Sequence, residues 1–209
     1  MKSNITLGLI LLFTVSNITC TKSSVELNNS VVESQAEQTD LNATVANKAV
    51  TYLIPKGSQY CTPNPLTFTT QSQLTFKAVF DSSCIYTTID PVNQYDVNKL
   101  YGFSDCGSHH LINSARIGWR WSNDSLRIFA FVHNDGAMLI REITTAKIGS
   151  AIKCQITCLD GSYNFEANGK TVSLARHCSG NYTRYKLYPY FGGDEFAPHD
   201  IRIQIKEVN

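Results

Sequence analysis

The sequence predicts an all-β fold, a two-sheet antiparallel β-sandwich of the jelly-roll type, and three observations carry that prediction. Apolar and polar residues alternate with period two over most of the C-terminal three quarters of the chain. Turn signals return roughly every eight to twelve residues, and no stretch of useful length carries an apolar stripe at helical spacing. No internal repeat is visible, which disfavours a propeller or solenoid.

The first segment does not belong to that fold. Lys2 precedes an apolar run, Leu7–Val15, broken only by Gly8 and Thr14. The run is short of the roughly 20 residues that a permanent span requires, so residues 1–20 read as an export signal. Cys20 closes the segment where a bacterial lipoprotein signal is cleaved and lipidated, with Asn17-Ile18-Thr19 ahead of it as a relaxed lipobox. The expectation is an exported, lipid-anchored cell-envelope protein, held to the membrane through that anchor only. Residues 21–50 hold no aromatic residue, Gly or Pro, and four acids against two lysines. Such a segment has nothing to build a core from and reads as a flexible tether. The folded unit is then 51–209.

Within it the strands follow one another at short intervals. Leu66–Thr70, Leu74–Phe80 and Ile85–Ile89 are short β-rich runs. Arg116–Trp121 alternates Ile117, Trp119 and Trp121 against Arg116, Gly118 and Arg120. Leu126–His133 and Ala137–Ile143 flank Asn134-Asp135-Gly136, a favourable hairpin turn because Asp-Gly adopts positive φ at little cost. Asp160-Gly161 and Asn168-Gly169 separate Ile152–Leu159, Tyr163–Ala167 and Lys170–Ala175 in the same way. The last strand points Ile201, Ile203 and Ile205 inward and Arg202, Gln204 and Lys206 outward. Roughly ten to thirteen strands are expected.

Composition narrows the function. The chain of 209 residues carries 18 basic and 17 acidic side chains, a formal charge of +1. Without a clustered basic face, nucleic acid is excluded as a partner. Seven cysteines is an odd number. Setting Cys20 aside leaves Cys61, Cys84, Cys106, Cys154, Cys158 and Cys178, enough for up to three disulfides in an exported domain. Cys154 and Cys158 on one strand lie about 13 Å apart, so they do not pair with each other. Asn42, Asn123 and Asn181 begin Asn-x-Ser/Thr acceptors, which matter only in a eukaryotic host.

Alternation along Arg184–Phe191 sets Arg184, Lys186, Tyr188 and Tyr190 on one face and Tyr185, Leu187, Pro189 and Phe191 on a core face. Arg116 and Arg120 share one side of their strand, and His133 ends the next run. If these faces meet, they form a groove of cations and tyrosines, suited to an acidic polysaccharide or oligosaccharide. Asp194, Glu195 and Asp200, beside Gly192-Gly193, offer oxygens of the kind that bind a structural calcium. The alternative there is a tight loop whose Asp and Gly satisfy turn geometry.

The segments Arg116-Ile-Gly-Trp-Arg120, Phe131-Val-His133 and Tyr185-Lys186-Leu-Tyr188-Pro-Tyr190 resemble, in order, three strand motifs of alginate-lyase-type polysaccharide lyases. The hairpin Ile152–Leu174 and the closing strand also look like the wider concanavalin A-like lectin/glucanase superfamily. The resemblance implies a jelly roll, Tyr190 as catalytic acid/base, and His133 as the neutralising or proton-abstracting histidine. It also implies that Arg116, Arg120 and Lys186 hold a uronate carboxylate. Gly118 stands where those lyases have Glu, and Phe131 where they have Gln. Three functions stay open: a non-catalytic glycan-binding domain, a lyase acting by β-elimination, and a structural or protein-binding envelope component.

Overall fold

The computed structural model describes residues 48–180 and 182–208. The signal segment, Cys20 and the tether up to residue 47 lie outside the described residues. Twelve strands form two six-stranded antiparallel sheets. The first runs, in spatial order, β1 (Val50–Ile54), β12 (Ile201–Glu207), β3 (Gln73–Phe80), β8 (Ala151–Leu159), β9 (Ser162–Ala167) and β10 (Lys170–Ala175). The second runs β2 (Phe68–Thr69), β11 (Arg184–Leu187), β4 (Asn98–Ser104), β5 (Ser114–Ser122), β6 (Ser125–Asn134) and β7 (Ala137–Ala146).

Turn chemistry fixes the hairpins. Asp135 and Gly136 both take positive φ between β6 and β7, as do Asn168 and Gly169 between β9 and β10. Those twists match the strands they join. Asn123 and Asp124, each at φ 52°, make the β5–β6 turn; in the sequence they stand out only as part of a glycosylation acceptor. Alternate residues of both sheets point inward, and Trp119, Phe76, Phe80, Phe103 and Phe165 are buried between them. Each contributes on the order of 1.5–3 kcal/mol by leaving water.

Three strand expectations are corrected. Ile85–Ile89 alternates, burying Tyr86 and Thr88, but no ladder takes it up. It runs instead between two 3-10 turns, Ser82–Cys84 and Pro91–Tyr95. The run Leu66–Thr70 shrinks to the two residues of β2. In the third case, the expected strand Arg184–Phe191 stops at Leu187, because Pro189 has no N–H to donate. Two strands went unseen: β1, which begins at the tether boundary, and β4, whose alternation is interrupted by a bulge between Lys99 and Tyr101.

Of the six domain cysteines, Cys106 and Cys178 form a disulfide, while Cys61, Cys84, Cys154 and Cys158 are buried thiols. The disulfide borders a buried ionic cluster. Asp105, just after β4, accepts hydrogen bonds from Arg184 Nε at 2.9 Å, Arg176 Nε at 2.7 Å and the Tyr163 hydroxyl at 2.8 Å. Burial pushes the Asp105 carboxyl upward, but the Arg176, Tyr163 and Cys106 N–H hydrogen bonds and the Arg184 charge carry it below its usual range. Tyr163 and Arg176 come from the first sheet and its exit, Asp105 and Arg184 from the second, so the cluster joins the two.

Candidate functional site

A pocket of about 540 Å³ opens on the face of the second sheet that points away from the core. Its floor is laid by register. Arg116 on β5 stands opposite Phe131 on β6, and Ser114 opposite His133. On the other side Arg116 pairs with Gly102 of β4. A Cβ at Gly102 would lie 2.1 Å from the Ala115 carbonyl and 2.8 Å from Arg116 Cγ, so only glycine lets the arginine stem cross this strand. The bulge in β4 turns Lys99 to the pocket while Leu100 and Tyr101 go into the core. Lys99 and Tyr190 exchange both backbone hydrogen bonds at 2.9 Å, which seats the Tyr190 ring beside the lysine. Asn98 accepts from the Gly192 N–H at 2.8 Å and holds that glycine against Lys99 Nζ.

The walls come from loops. His110 follows β4, and the Tyr185 hydroxyl accepts from its backbone N–H at 2.8 Å and meets its Nδ1 at 3.1 Å. Tyr190 donates its hydroxyl to Gln59 Oε1 at 2.6 Å, and Tyr60 packs edge-on against its ring. Tyr60, Leu66, Leu111 and Met138 are exposed along the rim.

The electrostatics are one-sided. Among the described residues, no Asp or Glu lines the pocket. Arg116 is only 5% exposed, stacks over Phe131 at 5.2 Å, and has no hydrogen-bond acceptor for Nε among the described residues. Burial pulls its pKa down to about 10. Lys99 Nζ lies 4.7 Å from the centre of the same ring, and burial, with the Arg116 charge, lowers it to about 8. Burial and the neighbouring cations hold His110 and His133 down at about 4, so both rings are neutral at pH 7. Burial raises the Tyr190 hydroxyl, which is therefore a proton donor and not a phenolate.

Of the residues expected at the site, Arg116, His133 and Tyr190 converge. Lys186 borders the pocket but sends Nζ inward to Glu207 at 2.5 Å, where Tyr101 also donates. Arg120 lies one turn of alternation beyond Gly118, donating to the Tyr95 carbonyl at 2.6 Å and stacking on Phe129. Arg184 is fully buried on Asp105, and Tyr188 is a core residue packed on Tyr52 and Tyr101. The expected faces of this strand are thus reversed: Arg184, Lys186 and Tyr188 point in, while Tyr185 and Leu187 face the pocket. The Lys186–Glu207 pair and the Asp105 cluster are what make a polar inward face tolerable.

The acidic residues do not gather. The Glu195 carboxylate accepts from the Ile89 and Asp90 N–H groups and Asn93 Nδ2. Asp200 accepts from the Lys56 N–H and Arg202, and Asp194 is exposed. Among the described residues the metal-type cluster is Asp105 with Cys106 and Cys178, whose sulfurs are already bonded to each other.

Sequence reasoning missed Lys99 and His110. Lys99 sits in Lys-Leu-Tyr-Gly-Phe, where the bulge breaks the period that would have shown its face. The departure at Gly118 has a local cause: Val97 fills that space, and a Cβ there would lie 2.6 Å from its Cγ1.

No protein-family model matches the sequence, and no curated protein is similar to it. Among solved structures, the alginate lyase AlyC3 is similar over 78% of this chain and 74% of that one, with TM-score 0.51 and 13% identity. An alginate lyase from Alteromonas sp. 272 covers 76% and 84%, with TM-score 0.45 and 8% identity. A non-specific endo-β-1,3(4)-glucanase of family GH16 covers 68% of this chain and 57% of that one, with TM-score 0.46 and 8% identity. The likeness is one of fold: the domain is a concanavalin A-like jelly roll.

Proposed function

We propose that the domain binds an acidic saccharide in this pocket, with a uronate carboxylate paired to Arg116. One observation carries the reading. A guanidinium this deeply buried, without a carboxylate partner and with an unsatisfied N–H among the described residues, is costly to the free protein. A bound carboxylate supplies the missing acceptor in the bidentate geometry that arginine favours. The aromatic rim of Tyr60 and Tyr190 suits the apolar face of a sugar ring. The similarity in fold to the alginate lyase AlyC3 agrees with this ligand class. Calorimetric titration with uronate oligosaccharides tests it. Arg116→Met abolishes binding and raises the melting temperature, because it removes an unpaired buried charge. Unchanged affinity in that variant sinks the reading.

A second reading, β-elimination, is favoured by the shared position of His133 and Tyr190. A neutral imidazole can take the proton α to the carboxylate, and a protonated Tyr190 can donate to the leaving oxygen. Phe131 and Gly118 in place of polar partners weigh for binding without turnover. Incubation with uronate polymers decides, since elimination produces the ultraviolet absorbance of an unsaturated uronate.

The export signal and Cys20 support placing the domain in the cell envelope on a lipid anchor. Loss of the protein from the membrane fraction in Cys20→Ser is the expected sign.

A further inference from the structure

We propose that the pocket is a two-anion site: beside the carboxylate at Arg116, the Lys99 ammonium receives a second anionic group of the same saccharide. This rests on the saccharide reading above and narrows it to sugars carrying two negative groups close together.

The geometry starts from a shared ring. Arg116 Cζ and Lys99 Nζ lie 5.2 and 4.7 Å from the centre of Phe131, which puts the two cations at most about 10 Å apart. Aromatic faces hold Lys99 at Phe131 and, at 5.8 Å, Tyr190. Such contacts steer an ammonium but do not neutralise it. The charged and titratable groups that face it are Arg116 from β5, His133 from β6, Tyr190 after β11 and Asp96 before β4. Asp96 acts on it from a distance and forms no ion pair with it among the described residues. The carboxylate of Asp96 lies instead over Gly193, where a Cβ would meet its Oδ2. Lys186, the third cation of the pocket, is already matched by Glu207.

The charge count follows. Among the described residues, the lining offers two cations without an ion-pair partner, Arg116 and Lys99, and no acid. One carboxylate satisfies Arg116 and leaves Lys99 uncompensated in a half-buried position. A second anionic group closes the balance. A sulfate ester on the uronate-bearing unit and the carboxylate of an adjoining uronate are the two sources of that chemistry. Nothing in the pocket's lining repels either, because no Asp or Glu among the described residues lines it.

Proton linkage makes the test specific. Lys99 gives up its proton near pH 8 in the free protein, so a second anion arriving at pH 9 restores that proton. Calorimetry in two buffers of different ionisation heat counts it. The mature protein is titrated with three probes: an oligosaccharide bearing one uronate and no other charge, an unsulfated di-uronate and a sulfated uronate disaccharide. At least one two-anion probe binds about tenfold or more tightly than the single carboxylate, with proton uptake at pH 9. Whichever of the two does so identifies the source.

Lys99→Met loses both the preference and the uptake, so a two-anion probe binds it no more tightly than the single carboxylate does. Lys99→Arg keeps the preference but shows no uptake, since a guanidinium remains charged at that pH. A preference unchanged in Lys99→Met overturns the proposal, as does an equal loss for all three probes. If no saccharide binds the wild type, the saccharide reading falls, and inorganic sulfate then judges the lysine alone. Sulfate that raises the melting temperature of the wild type but not of Lys99→Met upholds an anion site there, and equal shifts remove it.

Discussion

At the scale of single residues, the pocket holds side chains in states that solvent would not choose. His110 and His133 each have a pKa near 4 in the fold, against about 6.5 when unfolded. Between those values the unfolded chain binds more protons, so stability rises with pH across the window and is lost as pH falls through it. Melting temperature should climb from pH 4 to about 6.5 and then level, on a scale of a few kcal/mol. A double His110→Gln/His133→Gln variant should flatten that slope, as scanning calorimetry across pH would show. Arg116, His133 and Tyr190 were legible in the sequence because regular alternation or a motif carried them. Lys99 was not, because its exposure depends on one bulged residue, and a bulge leaves no compositional mark.

At the scale of the strand, local residues fix the turns but not which face of a strand meets the core. Asp135-Gly136, Asp160-Gly161 and Asn168-Gly169 close hairpins where expected, since each needs a positive φ that few residue types supply. The reversed face of β11 could not be read from its own residues. Arg184 and Lys186 look like surface cations until Asp105 and Glu207, far away in sequence, are placed opposite them. It follows that Lys186→Ala acts on stability. It should lower unfolding free energy by about 1–2 kcal/mol, between an exposed and a fully buried ion pair, and leave carboxylate affinity unchanged within about twofold. Denaturant titration beside a binding isotherm separates these effects. Ile85–Ile89 teaches the complementary lesson: alternation reports which side is buried, and a strand also needs a neighbour.

For the molecule as a whole, the two sheets share one hydrophobic core and one ionic joint. Asp105 is fully buried and faces two guanidiniums and a phenol. Replacing it with Asn leaves Arg176 and Arg184 buried without a counter-charge and should cost about 3–5 kcal/mol, measured as a fall in the denaturation midpoint. The conservative change in volume makes charge, not packing, the cause. The joint also governs sulfur chemistry. Cys158 Sγ lies 3.9 Å and Cys178 Sγ 3.8 Å from the same Asp105 oxygen, so a free thiol shares its surroundings with a bonded pair. Thiol–disulfide exchange needs a thiolate. Burial, reinforced by the Asp105 charge, pushes the Cys158 thiol up to about 12, which keeps it protonated and unreactive. The carboxylate that holds the sheets together thereby also guards the disulfide against the third sulfur beside it.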